Sequence, residues 1–126
     1  MDILLSVRKE YLDKILSGEK TLEIRKNAPK QHPGRIWLYE SGRRDGEKRI
    51  VGSCWLRGCI VVDGRYDSIR KASCLTEDEL KAYSGGRKLY GWELVNVKQF
   101  IKPIPLERFH MKHPPQSWCY IKSVEV

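Results

Sequence analysis

The stretch Ser17-Gly18-Glu19-Lys20-Thr21-Leu22-Glu23-Ile24-Arg25 gathers four kinds of polar chemistry into a few residues. Thr21 to Arg25 alternates strictly between polar and apolar, the period of a strand, so Leu22 and Ile24 face one side and Thr21, Glu23 and Arg25 the other. Lys20 stands at the junction before this strand, where its side chain can swing to the polar side. A cation, a hydroxyl, a carboxylate and a guanidinium together suit recognition of a polar ring. Arginine forks onto a carbonyl or phosphate, and a carboxylate accepts from an exocyclic amine. The same set suits proton transfer if burial moves Lys20 or Glu23 toward neutrality. It also suits a solvated strand face carrying ordinary charge pairs.

The elements that must position these residues are legible around them. Tyr11, Leu12, Ile15 and Leu16 recur at helical spacing, which predicts an amphipathic helix over Lys9 to Ser17 stopped by Gly18. Ile3 to Val7 before it reads as a strand. Loops follow at Asn27-Ala28-Pro29 and His32-Pro33-Gly34, then a strand over Ile36 to Glu40 and a basic, turn-rich loop over Ser41 to Gly46. Ile50 to Leu56 and Cys59 to Asp63 read as two strands, or as one long strand bent at Gly58. Thr76 and Glu79 form a capping box, with Leu75 and Leu80 as its hydrophobic staple, so a second helix runs to about Tyr83. Leu89 to Phe100 returns to strand character until Pro103 and Pro105 break the ladder, and Trp118 to Ile121 is the last strand. This inventory is α+β, mainly β: about six strands and two flanking helices, a small and partly open barrel forming a single domain over 1–126.

Composition bounds the function. The chain has 126 residues, 40% hydrophobic and 32% charged, as expected of a globular domain. No apolar run approaches a membrane span, and the opening residues do not form a signal peptide, so a cytoplasmic location is expected. The four cysteines form no C-x-x-C pair and read as reduced thiols, while His110 and His113 lack further ligands; neither a metal nor a cofactor is expected. Twenty-four basic against 16 acidic residues give a net charge of +8, with doublets such as Arg8-Lys9, Arg43-Arg44 and Lys48-Arg49 at the ends of elements. Such a surplus favours anionic partners, nucleic acid above all.

The pattern G-x-K-x-x-E-x-R after an amphipathic helix, here Gly18, Lys20, Glu23 and Arg25, resembles the hallmark segment of ASCH domains. Leu4-Leu5-Ser6-Val7 with Arg8-Lys9, Trp37-Leu38-Tyr39-Glu40-Ser41, Tyr90-Gly91-Trp92-Glu93-Leu94, Lys102 to Leu106 and Pro114 to Tyr120 are similar to the same family, in order along nearly the whole chain. The resemblance implies a PUA-like β-barrel with a cleft beside the first helix, lined by the motif lysine, glutamate and arginine, and an association with RNA. Some small bacterial members remove an acyl group from N4-acetylcytidine with a motif lysine, a threonine three residues later and a distant glutamate. Lys20 matches that lysine. Glu23 takes the threonine's place, and Thr21 on the same face would put a hydroxyl about 7 Å away. Glu77 or Glu79 are candidates for the distant glutamate. Glu93 stands where similar sequences carry histidine, and a Glu23–Glu93 carboxylate pair would replace that imidazole.

The leading expectation is therefore an RNA- or modified-nucleotide-binding domain centred on Lys20, Glu23 and Arg25. Arg8, Lys9, Tyr39, Ser41, Trp92, Glu93 and Trp118 are its further ligand-binding candidates. The alternative is a hydrolase of nucleoside amides or RNA using Lys20 and Glu23, with Thr21 as a further hydroxyl. A protein-binding adaptor is the third reading, and it requires an exposed apolar patch.

Overall fold

Strand character and helical spacing lead to nine regular elements. The strands are β1 (Asp2–Arg8), β2 (Leu22–Arg25), β3 (Arg35–Ser41), β4 (Ile50–Val62), β5 (Leu89–Ile104) and β6 (Trp118–Ile121); the helices are α1 (Lys9–Ser17), α2 (Arg70–Ser73) and α3 (Glu77–Ser84). The computed structural model describes residues 1–42 and 49–123, so the doublet Arg43-Arg44, Lys48 and most of the basic loop lie outside the described residues. The strands form one curved sheet in the order β2-β5-β4-β3-β1-β6, a half-barrel of mainly β architecture. Only β1 and β3 pair in parallel; every other neighbouring pair is antiparallel.

Apolar alternation decides what each face of the sheet buries. Ile3, Leu5, Ile36, Leu38, Cys54 and Trp92 form a core with Leu12 and Ile15 of α1. Leu22 and Ile24 turn to the opposite face of β2, where Val62, Ile69, Leu80 and Leu89 cover them. Trp37 and Tyr39 join Leu4, Ile50, Phe109 and Ile121 in a third cluster, on the other side of β3 from Leu38. Each fully buried aliphatic side chain contributes about 1.5–3 kcal/mol relative to leaving it in water.

The helices follow their end signals. Gly18 takes a left-handed conformation (φ 84°) and its N–H bonds Ile15 O, which closes α1. At α3, Thr76 Oγ1 accepts from Glu79 N and Glu79 Oε1 accepts from Thr76 N, the complete capping box. The short α2 and the 3₁₀ turns Asp67–Ile69 and Leu106–Phe109 were not expected, since each is too short to show a period.

Of the readings of the strands, one open alternative is decided and one expectation needs adjusting. The 50–63 region is one long strand with a register shift between Leu56 and Gly58, the bent alternative. β5 continues through Pro103 to Ile104. Gly52 pairs with Gln99 and Ile50 with Ile104, so Pro103 lies in an irregular stretch where its missing N–H costs no ladder bond.

The sheet's two edges, β2 and β6, are tied by side chains. Arg25 Nη2 donates to Ser6 O on β1 at 2.8 Å, and Nη1 donates to Ser117 Oγ, just before β6, at 3.0 Å. Asn27, after β2, accepts from Trp92 Nε1 through its backbone oxygen and from Trp118 Nε1 through its side chain.

Candidate functional site

The junction between α1 and β2 buries a charged group, deciding between the buried and solvated readings of the motif. Once Gly18 has turned the chain, Thr21 N bonds Ala72 O and fixes the start of β2 against α2. Lys20 is then carried inward and is 2% exposed. Its Nζ donates to Ser73 O, at the end of α2, and lies 3.5 Å from Glu23 Oε1 and 5.4 Å from the centre of the Tyr11 ring. Burial pushes the Lys20 ammonium below its ordinary value, and the Glu23 carboxylate opposes that shift.

Glu23 is 6% exposed and bridges two cations. Its Oε1 faces Lys20, while its Oε2 accepts from Arg25 Nη2 at 2.7 Å and Nε at 3.2 Å. Burial, with a smaller contribution from the Glu23 carboxylate, pushes the Cys54 thiol up to about 12. Arg25 gives its remaining donors to Ser6 O, Ser117 Oγ and Ser117 O. A guanidinium has five N–H groups, and here all five are engaged within the protein. The sequence suggests Arg25 as a fork for a ligand; the geometry makes it the clasp that holds Glu23 and closes the barrel.

These residues stand in the wall of a cavity of about 550 Å³, between α1, the end of β2, α3 and the Pro114–Ser117 segment. Arg8, at the end of β1, lines it and is exposed. Ser41 and Gln116 line it as well, with Tyr11 and Tyr83 on the helical side. Glu79 lines it too, accepting from Tyr11 Oη at 3.4 Å, and the Thr76 backbone N–H holds its carboxyl below the usual value. Tyr11, Tyr83 and Gln116 were absent from the expected site, while of the two candidates for a distant glutamate Glu79 lines the cavity and Glu77 does not. Glu79 was read as a cap and is that as well. Only the distance over which α3 returns to α1 brings it to the cavity.

Several expected residues lie elsewhere. Thr21 is exposed and outside the cavity, so its hydroxyl does not stand beside Lys20 in place of a nucleophile. In the register of β2 and β5, Glu23 is opposite Trp92 and Leu22 opposite Glu93. Paired residues share a face and neighbours alternate, so Glu93 and Glu23 project to opposite sides and form no carboxylate pair. Trp92 is fully buried, packing edge-on against Trp118 at 5.2 Å. Trp118 in turn packs on Tyr120 and bonds Asn27, outside the cavity. Trp92 fills the barrel, because a small barrel needs large side chains inside, and the half-buried Trp118 packs against it. Lys9 turns to Asp13 at 3.2 Å and Glu40 at 3.8 Å. Tyr39, 7% exposed, lines a different cavity.

Among the described residues, no cluster of three or more His, Cys, Asp or Glu side chains is arranged to hold a metal ion. No helix among them is long and apolar enough to cross a membrane. All four cysteines are free.

The chain as a whole is similar to known proteins. A relative from Zymomonas mobilis named ASCH domain-containing ribonuclease is 25% identical over 131 residues, covering 98% of this chain and 86% of the relative. The crystal structure of ASCH from Zymomonas mobilis matches with a TM-score of 0.81 at 26% identity, over 96% of this chain and 87% of that one. A point mutant of that protein matches with a TM-score of 0.82 at 25% identity, over 96% and 88%. The ASCH domain model itself matches residues 5–104, and the chain belongs to the ASCH domain family.

Proposed function

We propose that this protein binds RNA, taking one unpaired nucleotide, standard or modified, into the cavity beside α1. The observation that carries the reading is the set of donors left over there. Lys20 Nζ has three N–H groups, one on Ser73 O and one toward Glu23, and the residue lines the cavity. Gln116 offers a carboxamide that pairs with a base edge, and Arg8 stands exposed at the rim where a phosphate would sit. The volume of about 550 Å³ falls within the range of small-molecule sites. The surplus of +8 draws a polyanion to the surface, and the relative's name points to RNA.

A second reading, RNA cleavage, is favoured by that name and by the lowered pKa of Lys20. Cleavage by the neighbouring 2′-hydroxyl needs a base to take its proton and an acid to protonate the departing 5′-oxygen. Lys20 and Glu23, 3.5 Å apart, are the paired groups at the cavity that would serve.

One experiment separates these readings. Labelled single-stranded and hairpin RNA are titrated with protein over a series of salt concentrations, and the same samples are run on a denaturing gel. Binding should weaken steeply with salt, and Gln116→Ala should cost about 1–3 kcal/mol of affinity without altering the fold. Product absent from Lys20→Ala would make the protein a nuclease. Failure of the wild type to bind any RNA at low salt would end both readings.

A further inference from the structure

A second cavity lies beside the first and has not been given a role. Tyr39 of β3 lines it, with Arg49 and Lys112 as cations, Glu107 as a carboxylate, and Leu106 and Met111 as apolar surface. Its volume, about 550 Å³, equals that of the first. Tyr39 is more than nine-tenths buried, yet its hydroxyl makes no hydrogen bond among the described residues. Among the described residues no fully buried side-chain polar atom lacks a partner, so this hydroxyl reaches the cavity. A buried tyrosine normally finds a partner for its O–H, and here the open space supplies the place for one.

On two segments the residues that line the two cavities are close neighbours in sequence. On β3, Tyr39 lines the second cavity and Ser41 the first. On the segment before β6, Pro114 lines the second and Gln116 the first. In both cases the lining residues are two positions apart, at most about 7 Å along the chain. The wall is anchored, since Ser6 Oγ donates to Pro115 O at 2.7 Å and Ser6 N to Ser117 O at 2.9 Å.

We infer that the second cavity holds the nucleotide adjoining the one in the first, so that a single RNA strand crosses the Pro114–Gln116 wall between them. This rests on the RNA-binding reading of the first cavity. The apolar surface of Leu106 and Met111 takes the face of a base, the Tyr39 hydroxyl and Glu107 meet its polar edge, and Lys112 takes the phosphate. A neighbouring nucleotide fits better than an independent ligand because the backbone linking two nucleotides easily spans two residues of wall.

The test compares ligand lengths in four proteins: wild type, Lys112→Glu, Tyr39→Phe and Gln116→Ala. Nucleoside monophosphates are titrated by calorimetry and short single-stranded RNA by fluorescence anisotropy. Lys112 is exposed and Tyr39→Phe removes one oxygen, so both variants keep the fold. Lys112→Glu should weaken the oligonucleotide about tenfold and lower its salt slope by about 1, with monophosphate binding unchanged. Gln116→Ala should weaken both ligands. Oligonucleotide affinity within about twofold of wild type in Lys112→Glu and Tyr39→Phe, with Gln116→Ala impaired, would overturn the second site and leave the first standing. Monophosphate binding lost in Lys112→Glu and kept in Gln116→Ala would overturn the shared strand, since the second cavity would then act alone. No binding by the wild type would overturn the inference together with the reading beneath it.

Discussion

Arg25 and Ser117 are 92 positions apart in sequence, and Arg25 Nη1 donates to Ser117 Oγ across 3.0 Å. With the bond from Nη2 to Ser6 O, this contact draws the β2 edge toward β1 and β6. The same guanidinium grips Glu23, so closing the barrel and setting the site carboxylate are one act. Arg25→Lys keeps the charge and loses the fork. It should cost about 1.5–3 kcal/mol in urea unfolding, against about 0.5–1.5 for Ser117→Ala. The double variant should fall short of the sum, because both changes break the same bond.

Glu23 lies between the buried Lys20 and the partly buried Arg25. Glu23→Ala leaves Lys20 and Arg25 facing each other without their shared carboxylate, the situation in which breaking a buried pair costs about 3–5 kcal/mol. A shift of the urea midpoint matching a surface substitution, within about 0.5 kcal/mol, would mean the pair contributes nothing to folding.

Lys20 makes stability depend on pH. Its folded pKa is lowered, chiefly by burial, so between that value and the ordinary one the unfolded chain binds more protons than the native chain. Stability contributed at this site therefore rises with pH through that interval, and the cost of burying the charge is fully present below it. Lys20→Met removes the titration. The wild type should gain on this variant as unfolding is followed from about pH 7 to about pH 10. A constant difference would show that Lys20 does not titrate in that range.

The cap of α3 also positions a cavity residue. Thr76→Ala should cost about 1 kcal/mol and release Glu79 from one half of its capping box. Glu79 has a lowered pKa, so its contribution is present above the ordinary glutamate value and is lost as pH falls through the folded one. The variant's deficit, measured by thermal unfolding, should shrink in acid.

Gly52 tests the crossing of β4 and β5. A Cβ there would stand 2.6 Å from Lys98 O, a backbone atom, and 3.0 Å from Leu16 Cδ2. Gly52→Ala should cost about 1–3 kcal/mol through overpacking. Gly58→Ala, with nothing within 4 Å of its Cβ position, should cost much less and serves as the control.

Local signals sufficed where each residue's neighbours along the chain decide its conformation. Gly18 ends α1, Thr76 and Glu79 start α3, and the alternation over Leu22 to Arg25 sets the inner and outer faces of β2. The motif Gly18, Lys20, Glu23 and Arg25 was readable for the same reason, since its members fall within one helix end and one strand.

What the tertiary structure alone decided is how those side chains are occupied. Lys20 finds Ser73 O, 53 positions away, and Arg25 gives all five N–H groups to Glu23, Ser6 and Ser117. Periodicity tells which face a residue takes; it carries no information about what stands across from that face. Trp92 and Trp118 look alike in sequence to rings that stack on a base, and the register packs them inside or against Asn27. The sequence by itself therefore determined the elements, their polarity and the basic charge, which are local or additive. The partners of Lys20 and Arg25 and the lining of the cavities come from segments brought together only when the sheet curls.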